Sequence, residues 1–276
     1  MKRLLACVLM MSIFLPGSIS FATEVEIELH PITTEKEKGL IDWTQNHIEA
    51  TGMAVAPKNM KGAQAKALAR RGAIVDLQRN LLEFMGGVQV DARTTMDDFM
   101  AEDRVRSEVH GMIKNVELLK GEWDGEAYTV TGRIKLAEVR SIVCPRVPVD
   151  TIIIETERKT PAPKASGKYT GLVIDVRHLP LIPSVTFRVF DESGRAVYGV
   201  EFANQASMLQ SGICSYYNNI NYAQGELRVA PNPVKTKAIR LSTGNVDIVI
   251  PNSAAAKIRG SSFDFRKECK VLLVVK

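Results

Sequence analysis

The densest chemical grouping in the chain is acidic: Asp97, Asp98, Glu102 and Asp103 stand close enough to bind a divalent cation or to share acid and base duties. Hard cations usually take oxygen ligands from a glycine-bearing loop, whereas these residues follow Thr94 and Thr95 and open a run with helical periodicity. Their expected task is to stabilise the positive end of a helix dipole. The four histidines, His30, His47, His110 and His178, include no pair spaced for one helix face, and neither HExxH nor CxxC occurs. No metal is expected. Ser184, His178 and Asp175 can be assembled into a nucleophilic arrangement on paper, but no GxSxG elbow accompanies them. These residues predict a protein with no catalytic residue and no cofactor.

Side chains suited to contact are easier to find. Tyr216, Tyr217, Asn218, Asn219, Asn221 and Tyr222 combine flat aromatic faces with amides, a mixture that grips sugars and protein surfaces. Arg70 and Arg71 form a basic ridge for an acidic partner, or else belong to a solvated helix face on which Arg71 or Arg79 pairs with Asp76 or Glu83. Asp175, Arg177 and His178 directly follow an apolar run, where a strand end delivers polar groups either to a site or into solvent.

The elements that must position these residues are legible in outline. Ile48 to Ala56 reads as a strand stopped by Pro57. Gly62 to Met85 carries Ala67, Ile74, Leu77, Leu81 and Phe84 at helical spacing and ends at Gly86-Gly87. Val88 to Asp91 alternates like a short strand. Thr94 or Thr95 then caps a second helix, whose apolar stripe is Phe99, Val105, Val109 and Met112. Val116 to Trp123 and Glu126 to Ala137 flank an Asp-Gly turn and predict a hairpin that turns Tyr128, Val130, Ile134 and Leu136 toward the helices. The result is an α+β fold: a small antiparallel sheet with two helices on one face, followed by a strand-rich mixed α+β C-terminal region.

In that later region Tyr169 to Val176, Ser184 to Phe190, Arg195 to Val200, Val234 to Leu241, Val246 to Ile250 and Val271 to Val275 read as strands, with a turn at Asp191 to Gly194. Residues 201–231 read as irregular, with one short helix near Asn204 to Leu209, and Ser253 to Ile258 as a helix of one or two turns. Thr156 to Lys168 lacks large apolar side chains and predicts a linker. The domain reading is thus an N-terminal extension at 23–47, an α+β domain at 48–155, a linker at 156–168 and a strand-rich domain at 169–276.

Residues 1–22 predict a signal peptide. Lys2 and Arg3 precede the apolar run Leu4 to Leu15, Pro16-Gly17 breaks it, and Ser20-Phe21-Ala22 supplies the small residues for cleavage after Ala22. Leu4-Leu5-Ala6-Cys7 has the letters of a lipoprotein box, but the apolar stretch follows the cysteine instead of preceding it, so no lipid is expected on Cys7. The chain holds 36 Lys plus Arg against 31 Asp plus Glu, and loss of Lys2 and Arg3 lowers the net charge from +5 to +3. Nucleic acid is excluded as a partner on that balance. Cys144, Cys214 and Cys269 would remain, as buried thiols or as one bridge with a spare.

Gly52 to Pro57, Ala65 to Leu77 and Val88 to Thr94 resemble the N-terminal module of LPP-type bacterial envelope lipoproteins, and the same module is similar to the N-terminal domain of flagellar assembly protein T. The resemblance spans about residues 48–140. Tyr169 to Asp175 and Asp191 to Gly199 are similar to the C-terminal part of envelope proteins with that module. What the resemblance implies is an exported, non-catalytic protein of the periplasm or outer envelope, peripheral to the membrane at most. Its implied partners are envelope or flagellar proteins. A binding module for peptidoglycan or another envelope polysaccharide is the alternative, and a hydrolase centred on Asp175 to His178 ranks behind both.

Overall fold

The computed structural model describes residues 30–151, 153, 155 and 167–276. The expected leader at 1–22 and residues 156–166 of the expected linker lie outside the described residues. The first sheet is antiparallel throughout. Its strands β1 (Thr33–Lys36), β2 (Gly39–Asp42), β3 (His47–Val55), β4 (Glu117–Trp123) and β5 (Ala127–Lys135) lie in the order β1-β2-β3-β5-β4. Two of its strands come from the stretch read as an extension. The expected hairpin forms β4 and β5, and the Asp124 carboxylate accepts the N–H groups of Glu126 at 2.8 Å and Ala127 at 2.7 Å while Gly125 takes φ 108°.

Helix α1 (Gly62–Gly86) lies across β3 and β5. Its buried ridge, Ala65, Ala69, Ala73, Leu77, Leu81 and Phe84, is mostly alanine over the first three turns. Small side chains let the helix sit low on the sheet, so Gly52 runs directly under it: a Cβ there would lie 2.1 Å from the Leu77 nitrogen. Ala67, expected on the apolar stripe, is exposed instead. Over the first turns the ridge runs through Ala65, Ala69 and Ala73, because Gly52 and Gly132 under the helix leave room along the Ala69, Ala73 and Leu77 line.

The second expected helix is broken into α2 (Met96–Met100) and α3 (Asp103–Lys114). Thr95 stands at the N-cap of α2, and the Asp98 carboxylate accepts its backbone N–H at 2.7 Å and its hydroxyl at 2.9 Å. The short strand expected at Val88 to Asp91 is a single bridge between Gln89 and Thr95. The Asp91 carboxylate turns the chain there by accepting the N–H groups of Arg93 and Thr94. Strand β5 stops at Lys135, and Leu136 opens helix α4 (Leu136–Val143).

Two further sheets follow. β6 (Gly171–Asp175), β9 (Ser215–Tyr217), β10 (Pro233–Lys237) and β13 (Val271–Val274) form a parallel sheet ordered β10-β6-β13-β9. β6 and β13 are central and covered on both faces, which is why their sequences are continuous apolar runs. β7 (Val189–Asp191), β8 (Ala196–Tyr198), β11 (Arg240–Leu241) and β12 (Ile248–Ile250) form the other, ordered β11-β12-β7-β8. Helices α5 (Gln205–Ser211), α6 (Ile220–Gly225) and α7 (Asn252–Arg259) complete the chain. The molecule is α+β, as its sequence predicts.

β7 is shorter than the strand expected at Ser184 to Phe190. The N–H groups of Val185 and Thr186 are used elsewhere, donated to the carbonyls of Gln89 and Val90 at 3.0 and 2.8 Å. Those bonds join the first half to the second. So does the edge-on contact of Trp43 with Tyr216, centroids 5.6 Å apart, and one buried apolar cluster runs from Ile32 to Val275.

Candidate functional site

The concave surface best suited to gripping a partner lies where β3 leaves the sheet and α1 begins. A groove of about 610 Å³ opens there, walled by Val55, Pro57, Met60 and Trp123 and flanked by Lys58, Lys61 and Lys66. Pro57 ends the strand, and Lys61 occupies the N-cap of α1 without a side-chain hydrogen bond to the helix. No acidic residue stands in the first turn. The positive end of a 25-residue helix therefore points toward the groove, whose lining includes one acidic residue, Glu126. Val55 is 67% exposed on its wall.

Charge extends from this groove along the helix. Between Pro57 and Val75 the chain carries Lys58, Lys61, Lys66, Arg70 and Arg71 and not one Asp or Glu. All five cations are exposed. Arg70 and Arg71 are thus part of a longer basic surface, whereas Arg79 is tied to Asp76 at 2.7 Å. The three lysines and Trp123 were not singled out from sequence. The signal available was the acid-free interval itself, spread too thinly over nineteen positions to register as a charge run.

The Tyr and Asn group divides. Tyr216 is a correction: it is 3% exposed, its hydroxyl donates to the Ser184 carbonyl and accepts the Ser184 N–H, each at 3.1 Å, and it cannot present itself to a partner. The parallel pairing of β9 with β13 draws it inward, while alternation sends Tyr217 the other way. Tyr217 packs against Tyr222 with centroids 5.2 Å apart. Burial, with Glu226 beside it, pushes the Tyr217 hydroxyl up to about 12. Asn219 is occupied as the cap of α6, accepting the N–H groups of Asn221 and Tyr222. Asn218 has a buried side-chain oxygen without a hydrogen-bond partner among the described residues. Exposed contact capacity is left to Asn221 and Tyr222.

Asp175, Ser184, Asp98 and Asp103 each have local partners. Asp175 is engaged by Arg177, whose side chain donates at 2.9 and 2.8 Å and holds the carboxyl below its ordinary value. The Ser184 hydroxyl donates to the Thr186 carbonyl at 2.8 Å, away from His178. Asp98 serves Thr95, and Asp103 pairs with Arg106 at 3.2 Å. Among the described residues no three His, Cys, Asp or Glu side chains are grouped so as to hold a metal. Cys144, Cys214 and Cys269 are buried and unpaired.

A second groove, of about 860 Å³, lies between the halves and includes Asp91, Arg93, Phe99, Arg188, Phe190 and Asp247. Two of its charges are committed within the protein: Arg188 donates to Glu201 at 2.8 Å, and Asp247 accepts the Arg188 N–H at 2.8 Å.

Residues 171–276 match a family defined by the second domain of Treponema pallidum Tp0624. The match lies outside residues 48–140 and does not bear on the expectation of an LPP-type module there. No curated protein matches the chain. From β6 onward this protein is therefore similar to a bacterial domain of uncharacterised function.

Proposed function

We propose that this is an exported protein of the bacterial cell envelope that works by contact, not by catalysis, and that it engages an acidic envelope or flagellar protein through the groove and basic face at the start of α1. The observation that carries the reading is the run of five exposed cations with no acid between Pro57 and Val75, leading into a groove with apolar walls, three lysines and a single acid, Glu126. An anionic segment with one or two apolar side chains complements such a surface, and charge of this kind raises the encounter rate as well as the affinity. Support for export comes from the order of charged, apolar and small residues in the first 22 positions. The resemblance of residues 48–140 to envelope modules points to the same compartment.

The test is cross-linking in intact cells followed by purification from envelope fractions, comparing the native chain with Lys58→Glu/Lys61→Glu/Lys66→Glu. The expected result is a defined set of envelope proteins captured by the native chain and lost from the variant. Equal capture by both would remove the basic face as the contact surface. Recovery of the protein in the cytoplasm with its first residues uncleaved would overturn the placement.

The exposed pair of Asn221 and Tyr222 beside Tyr217 favours a second reading, a module for peptidoglycan or another envelope polysaccharide. Co-sedimentation with purified cell wall, abolished by Tyr222→Ala, is its expected signature. Failure of the native chain to sediment would end it.

A further inference from the structure

One buried guanidinium has no carboxylate paired with it among the described residues. Arg140, on α4, is 7% exposed. Its Nη1 donates to the Asn46 side-chain oxygen at 3.0 Å and its Nε to the Leu209 carbonyl at 3.4 Å. A guanidinium has five N–H donors, and the remaining ones find no acceptor among the described residues. No carboxylate pairs with it there either. Arg228, its cationic neighbour, makes the contrast. That side chain donates to the carbonyls of Ser211, Gly212 and Cys269 and to the Ser215 hydroxyl, at 2.7 to 2.9 Å.

The guanidinium of Arg140 lines a cavity of about 20 Å³ between the two halves. Trp43 and Asn46 bound it from the first half, and Ser184, Cys214 and Tyr216 from the second. No Asp or Glu lines it. The nearby thiols supply no negative charge at neutral pH, because burial pushes Cys144 up to about 11 and Cys214 to about 12. Arginine does not deprotonate in proteins. A permanent cation that is only 7% exposed, without an acid paired to it among the described residues and beside a space that admits one atom-sized guest, is an unfinished ion pair.

We propose that this cavity binds one small monovalent anion, a halide, held by Arg140 and acting as an electrostatic pin between the two halves. A water molecule would fill the same volume but would leave the unit charge uncancelled. The site is independent of the surface at the start of α1.

The full chain is to be crystallised in bromide and examined by anomalous scattering, and unfolded by heat in chloride and in gluconate at equal ionic strength. Gluconate is too large for the cavity. Expected are a bromide peak beside the Arg140 guanidinium and an unfolding midpoint about 5 °C higher in chloride at saturation. Arg140→Met should lose both. Absence of the peak, or its persistence in Arg140→Met, overturns the proposal, as does an equal midpoint in the two salts. Should the variant fail to fold, the two measurements on the native chain decide.

Discussion

Two buried aspartates show how placement, not residue type, sets electrostatic behaviour. The side chain of Asp191 is fully buried, yet it accepts the N–H groups of Ser193 and Arg195 and the guanidinium of Arg259 at 2.8 Å. Burial opposes its charge, but those bonds and the two arginines outweigh burial and hold it below its ordinary value. Asp247 has the opposite balance: burial dominates, Asp91 and Glu201 add repulsion, and the carboxyl is raised despite Arg188. The signs follow. Asp191 contributes stability above the unfolded value of about 3.9, lost as pH falls through its lower folded value. Asp247 contributes stability only at low pH, lost as pH rises through its higher folded value. Asp191→Asn should therefore cost about 3 kcal/mol at pH 7, with the deficit shrinking below about pH 4. Asp247→Asn should raise stability at pH 7 and leave it unchanged near pH 3. Denaturant titrations at both pH values check the pair, and a loss of stability in both variants at pH 7 would contradict the assignment.

At the scale of elements, the seat of α1 on the first sheet rests on absent atoms. A Cβ on Gly52 would lie 2.1 Å from the Leu77 nitrogen and 2.3 Å from the Ala73 carbonyl, both backbone atoms that cannot turn aside. Gly52→Ala should lift the helix and destabilise the protein by about 3 kcal/mol. Gly62→Ala meets no atom within 4 Å but sits at φ 59°, so its cost should come from the backbone alone and stay near 1 kcal/mol. Chemical denaturation of the two variants separates these effects. The strand, the helix and the hairpin in this region were legible because each carries its own period and its own turn residues. The low seat of the helix was not: alanine at Ala65, Ala69 and Ala73 reads as neutral in a single sequence and acquires meaning only opposite Gly52.

Over the whole molecule, the halves divided by composition at Thr156 are united by packing. Val185 and Thr186 bond to Gln89 and Val90, Thr44 donates to the Tyr216 carbonyl, and the apolar cluster is continuous. Heat should accordingly unfold both halves in one transition, with Trp fluorescence and far-ultraviolet circular dichroism giving the same midpoint. Tyr216→Phe removes a hydroxyl that both donates to and accepts from Ser184, and should cost about 1 to 3 kcal/mol without splitting the transition. Two separated transitions in the native chain would show that the halves are independent.

What the amino-acid sequence determined by itself was local: the α+β class, the amphipathic first helix, the Asp-Gly hairpin, the turn at Asp191 to Gly194 and the buried strands near Ile174 and Leu273. Each rests on periodicity or turn chemistry within a few neighbouring residues. Only the tertiary structure decided that Tyr216 is interior, that Val88 to Asp91 bonds across to Val185 and Thr186, and that Arg140 faces a cavity without an acid. Those outcomes depend on which distant residues arrive as neighbours, and burial of a polar group is defined by the atoms around it. The basic face stands between the two. Its five cations are plain in the chain, but that Lys66, Arg70 and Arg71 lie on the exposed side of α1, and Lys58 and Lys61 beside the groove at its start, is a fact of the fold.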